Sequence, residues 1–130
     1  MRDVSGLLLL AFRLAHEISD ACLDLEQDSS LSRNPARANQ IADGGVSALA
    51  YLAGASADFH DPSLRARLAV RSSVRGSREE LAKLKERLKS ATAAGYLDPV
   101  ASEDLVRRID ELTVILMALG VELRGTRAAA

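Results

Sequence analysis

The sequence contains no tryptophan, two tyrosines, two phenylalanines, three prolines and one cysteine among its 130 residues. With aromatics at 3%, the hydrophobic fraction of 48% is almost wholly aliphatic. A core of Leu, Ala, Val and Ile suits packed helices better than a sheet, where β-branched and aromatic side chains are favoured. The lone Cys22 excludes an internal disulfide, and its apolar neighbours mark it as a buried thiol in a reducing compartment. Neither sign of charge prevails: 17 basic and 18 acidic residues give a net charge of −1, which excludes a whole-molecule electrostatic drive toward nucleic acid but leaves room for local patches.

Other absences narrow the function. The apolar run Leu7-Leu8-Leu9-Leu10-Ala11-Phe12 is too short for a membrane span and is followed at once by Arg13, His16 and Glu17. No small-residue cleavage pattern follows it, so the chain reads as soluble and cytoplasmic, with no membrane partner. No nucleophile-elbow sequence surrounds Ser47, Ser72, Ser73 or Ser77. Gly44-Gly45 lacks the Lys-Ser or Lys-Thr of a phosphate loop. The only histidines, His16 beside Glu17 and His60 beside Asp61, form no His-x-x-x-His or Glu-x-x-His pair, so the four-helix di-metal signature is missing. His16 reads as a polar residue hydrogen-bonded near a helix interface and His60 as a turn residue. These absences predict a non-enzyme with no catalytic residue, no metal and no cofactor.

What is present reads as one domain of four helices. The longest stretch starts at Asp61-Pro62, a capping oxygen followed by a residue that needs no N–H, and stops at Ala93-Ala94-Gly95-Tyr96. A helix over 62–94 spans roughly 50 Å and can be covered only by other long helices. Its middle, with Ser72, Ser73, Gly76 and Ser77, forms helix most weakly and is where a bend is expected. The first helix covers about 4–25, with Leu7, Leu8, Leu10, Ala11, Leu14, Ala15, Ile18, Ala21, Cys22 and Leu25 on its core stripe. After a loop from Gln27 to Pro35, the second covers about 36–57; its adjacent Gly44 and Gly45 mark either a close backbone approach or a break. Asp98-Pro99 opens the fourth, about 99–124, with Leu105, Ile109, Leu112, Leu116, Leu119 and Leu123 in one stripe. The fold class is all-α, an up-and-down antiparallel four-helix bundle.

Apolar residues exceed what one bundle needs. Leu9 and Phe12 fall outside the first stripe, and from Leu112 to Val121 only Thr113 and Gly120 are not hydrophobic. A segment apolar all round is buried all round, which in so small a protein predicts a homo-oligomer with Leu9, Phe12, Val114, Ile115, Met117 and Val121 in its interface. Charge is also patterned. Arg67, Arg71, Arg75 and Arg78 fall within about 80° of one helical face. With Arg65, this row is a candidate nucleic-acid-binding surface, although it lacks the interleaved aromatics of a single-strand binder. Glu17, Asp20, Asp24 and Asp28 form an acidic stripe on the first helix that offers the arginines partners within or between subunits.

Several short motifs resemble the bacterial family of 23S rRNA-intervening-sequence proteins. Ala15-His16-Glu17-Ile18, with Phe12 before it, is similar to that family's first-helix Ala-His-Glu-Leu. Gln40-Ile41, Val46-Ser47 and Leu52-Ala53 follow its second-helix spacing, Arg75-Gly76-Ser77 with Glu80-Leu81 its third-helix Arg-Gly-Ser-x-x-Glu-Leu, and Gly95-Tyr96-Leu97 its Gly-Tyr-Ile. Ala42-Asp43 stands where the family carries basic residues, and Leu49-Ala50-Tyr51-Leu52-Ala53-Gly54-Ala55 replaces its Pro-Ser-Asn-Ile-Ala-Glu-Gly. The resemblance implies a four-helix bundle, often assembled as a ring of five, with no known catalytic activity. It also implies an alternative partner class, since a related branch, the accessory variability determinant of diversity-generating retroelements, binds a reverse transcriptase and nucleic acid.

Overall fold

The structure, a computed structural model, describes residues 4–27, 30–61 and 63–129. Four helices account for nearly all of them: α1 (Val4–Glu26), α2 (Pro35–Asp58), α3 (Leu64–Ala93) and α4 (Pro99–Ala129), with a 3₁₀ turn at Leu31–Arg33 before α2. Among the described residues there is no strand. The helices run up and down around one core. α2 packs on α1 and α3, α4 closes the bundle against both, and α1 and α3 stand on its diagonal.

Side-chain periodicity produces this arrangement. Ala11, Ala15, Ile18 and Cys22 of α1, Ile41, Ala48 and Leu52 of α2, Leu81, Leu84 and Leu88 of α3, and Ile109, Leu112, Leu116 and Leu119 of α4 are all essentially inaccessible. Their spacing of three and four puts each set on one stripe, and each buried Leu or Ile contributes about 1.5–3 kcal/mol. Leu31 of the 3₁₀ turn is fully buried as well, so the expected loop carries a core residue of its own.

Gly44 and Gly45 do not break α2, which is continuous through them. A Cβ on Gly44 would lie 3.1 Å from Leu84 Cδ1 of α3, and one on Gly45 would lie 3.0 Å from Cys22 Sγ and 3.2 Å from Ser19 Cα of α1. The two glycines therefore let neighbours on opposite sides approach the same turn of α2. α3 is likewise one continuous helix through the stretch where a bend is expected. Gly76 receives the ring of Tyr51, and the buried Ser77 hydroxyl donates to the Ala48 carbonyl at 3.0 Å, so the weak helix-forming stretch is held by α2.

The helix ends follow their capping chemistry. Asn34 accepts from the Arg37 N–H with Pro35 in the first turn of α2, and Asp98 accepts from the Ala101 N–H at the start of α4. At the end of α3 the Tyr96 N–H donates to the Ala91 carbonyl and the Gly95 N–H to that of Thr92, with Gly95 at φ +83°, the paired bonds that stop a helix on glycine. The start of α3 departs from expectation. Ser63 is the cap, accepting from the Ala66 N–H, while Asp61 accepts from the Ser63 N–H in a turn; α3 thus begins at Leu64, and Pro62 lies outside the described residues. Two side chains of α1 also change places: Leu10, expected in the core stripe, is exposed, whereas Phe12 is half-buried against the core.

Candidate functional site

The arginine row on α3 divides into two environments. Arg71, Arg75 and Arg78 lie along the seam with α4, where they line a groove of about 430 Å³ with Leu68, Ser72, Val74, Gly120 and Arg124. Arg67 turns to the end of the bundle instead, into a cavity of about 390 Å³ walled by Val4, Phe59, Val70 and Leu123. Its Nε is buried there without a hydrogen-bond partner, although Asp58 and Asp61 line the same cavity. Arg65 is exposed and lines neither space. Six residues from Arg71 at roughly 100° per residue, it points about 120° away round the helix. The sequence-predicted set of five thus resolves into three groove residues, one end-cavity residue and one bystander.

Arg124 joins the groove but was not among the expected residues. Antiparallel packing accounts for it, because the last turns of α4 lie beside the first turns of α3. Gly120, one turn before Arg124, has nothing within 4 Å of the position a Cβ would take, so the groove stays open along the α4 backbone.

The acidic stripe of α1 does not neutralise these arginines within the chain. Glu17, Asp20 and Asp24 are exposed on the helix diagonal to α3, and Asp28 lies outside the described residues. Among the described residues, the ion pairs join other groups: Lys85 to Asp110 at 2.8 Å across α3 and α4, Lys83 to Glu80, and Arg107 and Arg108 to Asp104. His16 is exposed, not at a helix interface, and its Nδ1 lies 3.2 Å from Asp20 on the same helix. His60, also exposed, sets its ring edge-on to Phe59 with centroids 5.3 Å apart. Among the described residues no three His, Cys, Asp or Glu side chains converge as metal ligands would. Burial pushes the Cys22 thiol up from 9.0 to about 12, which removes thiolate chemistry at neutral pH.

A second feature is apolar. Val114, Met117 and Val121 are 65%, 50% and 56% exposed. With Ala118 they repeat at i, i+3, i+4 and i+7, a complete helical stripe on the side of α4 opposite its core residues. The stretch from Leu112 to Val121 is therefore not buried all round within the chain. Ile115 and Phe12 are half-buried against the core, while Leu9 on α1 is 63% exposed. Where α3 ends and α4 begins, a further open cleft of about 720 Å³ has Ala93, Val106 and Val114 in its wall and charges of both signs, Lys89, Glu103, Arg107 and Glu111, around it.

No protein-family model, no curated protein and no solved structure matches this chain. No helix among the described residues is long and apolar enough to cross a membrane. The all-α, up-and-down four-helix architecture is the one the periodicity predicts.

Proposed function

We propose that the protein is a non-catalytic scaffold or adaptor that self-associates through α4. The observation that carries this reading is the second stripe of Val114, Met117, Ala118 and Val121. A helix needs one apolar face to belong to a bundle, and a second, solvent-facing one of this regularity marks an interaction surface. Leu9 on the neighbouring α1 adds apolar area of the same kind. The ring of five implied by the resemblance to the 23S rRNA-intervening-sequence proteins is the assembly we propose, with the acids of α1 and cations of a neighbouring copy free to meet across it. A cytoplasmic location fits the single unpaired thiol of Cys22.

The test is the solution mass of a double variant, Val114→Glu with Val121→Glu. Both positions face away from the core, so the bundle should keep its helix content by circular dichroism. The mass should fall to that of one chain. A variant that stays the size of the wild-type assembly would place the interface elsewhere.

A further inference from the structure

Along the seam between α3 and α4, one part holds cations with no described carboxylate among them. Arg71, Arg75 and Arg78 from α3 and Arg124 from α4 share the groove with Leu68 and Gly120, and no carboxylate is among the described residues that line it. Farther along, acids join the cations. Glu79 stands with Arg75 and Arg78 in the next cleft, Lys85 is held by Asp110 at 2.8 Å, and Lys89 and Arg107 share the last cleft with Glu103, Asp110 and Glu111. A nucleic-acid backbone continuing along this seam would run into acids, whereas a compact anion in the groove would meet arginines as the only charged side chains among the described residues that line it.

Four guanidiniums lining one groove sum to a local positive potential that attracts an anion. Their planar forks match phosphate oxygens two at a time. A terminal phosphate carries about −1.5 to −2 charges at neutral pH, so two or three linked phosphoryl groups balance the four cations. The groove volume of about 430 Å³ falls within the range of roughly 300–1,000 Å³ typical of small-ligand sites. Gly120 supports the same assignment independently. A mid-helix glycine costs roughly 1 kcal/mol relative to alanine, and no neighbour requires it, since a Cβ there would touch nothing. Its missing side chain leaves the floor of the groove clear.

We infer that the groove between α3 and α4 binds a compact polyphosphate, of the nucleoside di- or triphosphate class, through Arg71, Arg75, Arg78 and Arg124. The inference does not depend on self-association. Titration calorimetry on the full chain with inorganic pyrophosphate, ATP and a single-stranded oligonucleotide tests it. Pyrophosphate and ATP both bind at low salt; equal affinities mean that phosphate alone is read, and tighter ATP means that the nucleoside is read too. The double variant Arg71→Gln with Arg78→Gln weakens binding by about tenfold or more, while Arg65→Gln leaves it unchanged. Gly120→Glu places a carboxylate in the groove without removing an arginine and abolishes binding at wild-type helix content. Absence of binding by both small phosphates, retention of affinity in the double variant, or binding of the oligonucleotide alone would overturn the assignment.

Discussion

Cys22 and Gly45 meet at a close contact between α1 and α2, with Cys22 Sγ 3.0 Å from the position of a Cβ on Gly45. Ser19 Cα lies 3.2 Å from that position as well, and a backbone atom cannot swing aside. Gly45→Ala therefore overpacks a rigid contact and lowers stability by about 1–3 kcal/mol, despite the better helix propensity of alanine. Gly120→Ala, in open space, raises stability by up to about 1 kcal/mol; urea denaturation of the two variants should show opposite signs. The thiol gives a pH test. Burial raises it from 9.0 to about 12, so the folded state holds its proton where the unfolded chain releases it. This contribution is complete below pH 9.0 and is lost as pH rises toward about 12, the loss amounting to about 1 kcal/mol by pH 10. The fall in denaturation midpoint between pH 8 and pH 10 should be smaller in Cys22→Ala than in the wild type.

At the scale of elements, α3 shows what a sequence states and what it withholds. Its stop was legible because Gly95 and Tyr96 supply a local hydrogen-bonding pattern that needs no tertiary partner. Its onset was misplaced by two residues because Asp61 and Ser63 both have capping chemistry, and only the fold selects Ser63. The apparent weakness around Gly76 and Ser77 proved to be a docking site for α2, through Tyr51 and the Ala48 carbonyl. Ser77→Ala removes that buried hydrogen bond and should cost about 1 kcal/mol, measured by the same denaturation. The exchange of Leu10 and Phe12 has a similar origin: spacing fixes the stripe of α1, but the rotation of the helix against its neighbours decides which residues border it. Arg124 was hidden for a related reason, since it joins Arg71, Arg75 and Arg78 only once α4 lies antiparallel to α3.

For the molecule as a whole, local and long-range preferences agree in the core and diverge on α4. The buried stripes of all four helices are mostly aliphatic, with Cys22 and Ser77 among them, which is how a chain without tryptophan builds one continuous interior. The outward stripe of Val114, Met117 and Val121 adds nothing to that interior, and a lone bundle would be more soluble with polar residues there. Self-association gives these residues a role, and the most direct test is the solution mass of the untagged protein, by light scattering at micromolar concentration and at two salt concentrations. Self-association through α4 predicts an oligomer, a ring of about five chains, whose mass is insensitive to salt because apolar contacts hold it. A monodisperse monomer of 13.9 kDa at both salt concentrations would contradict it.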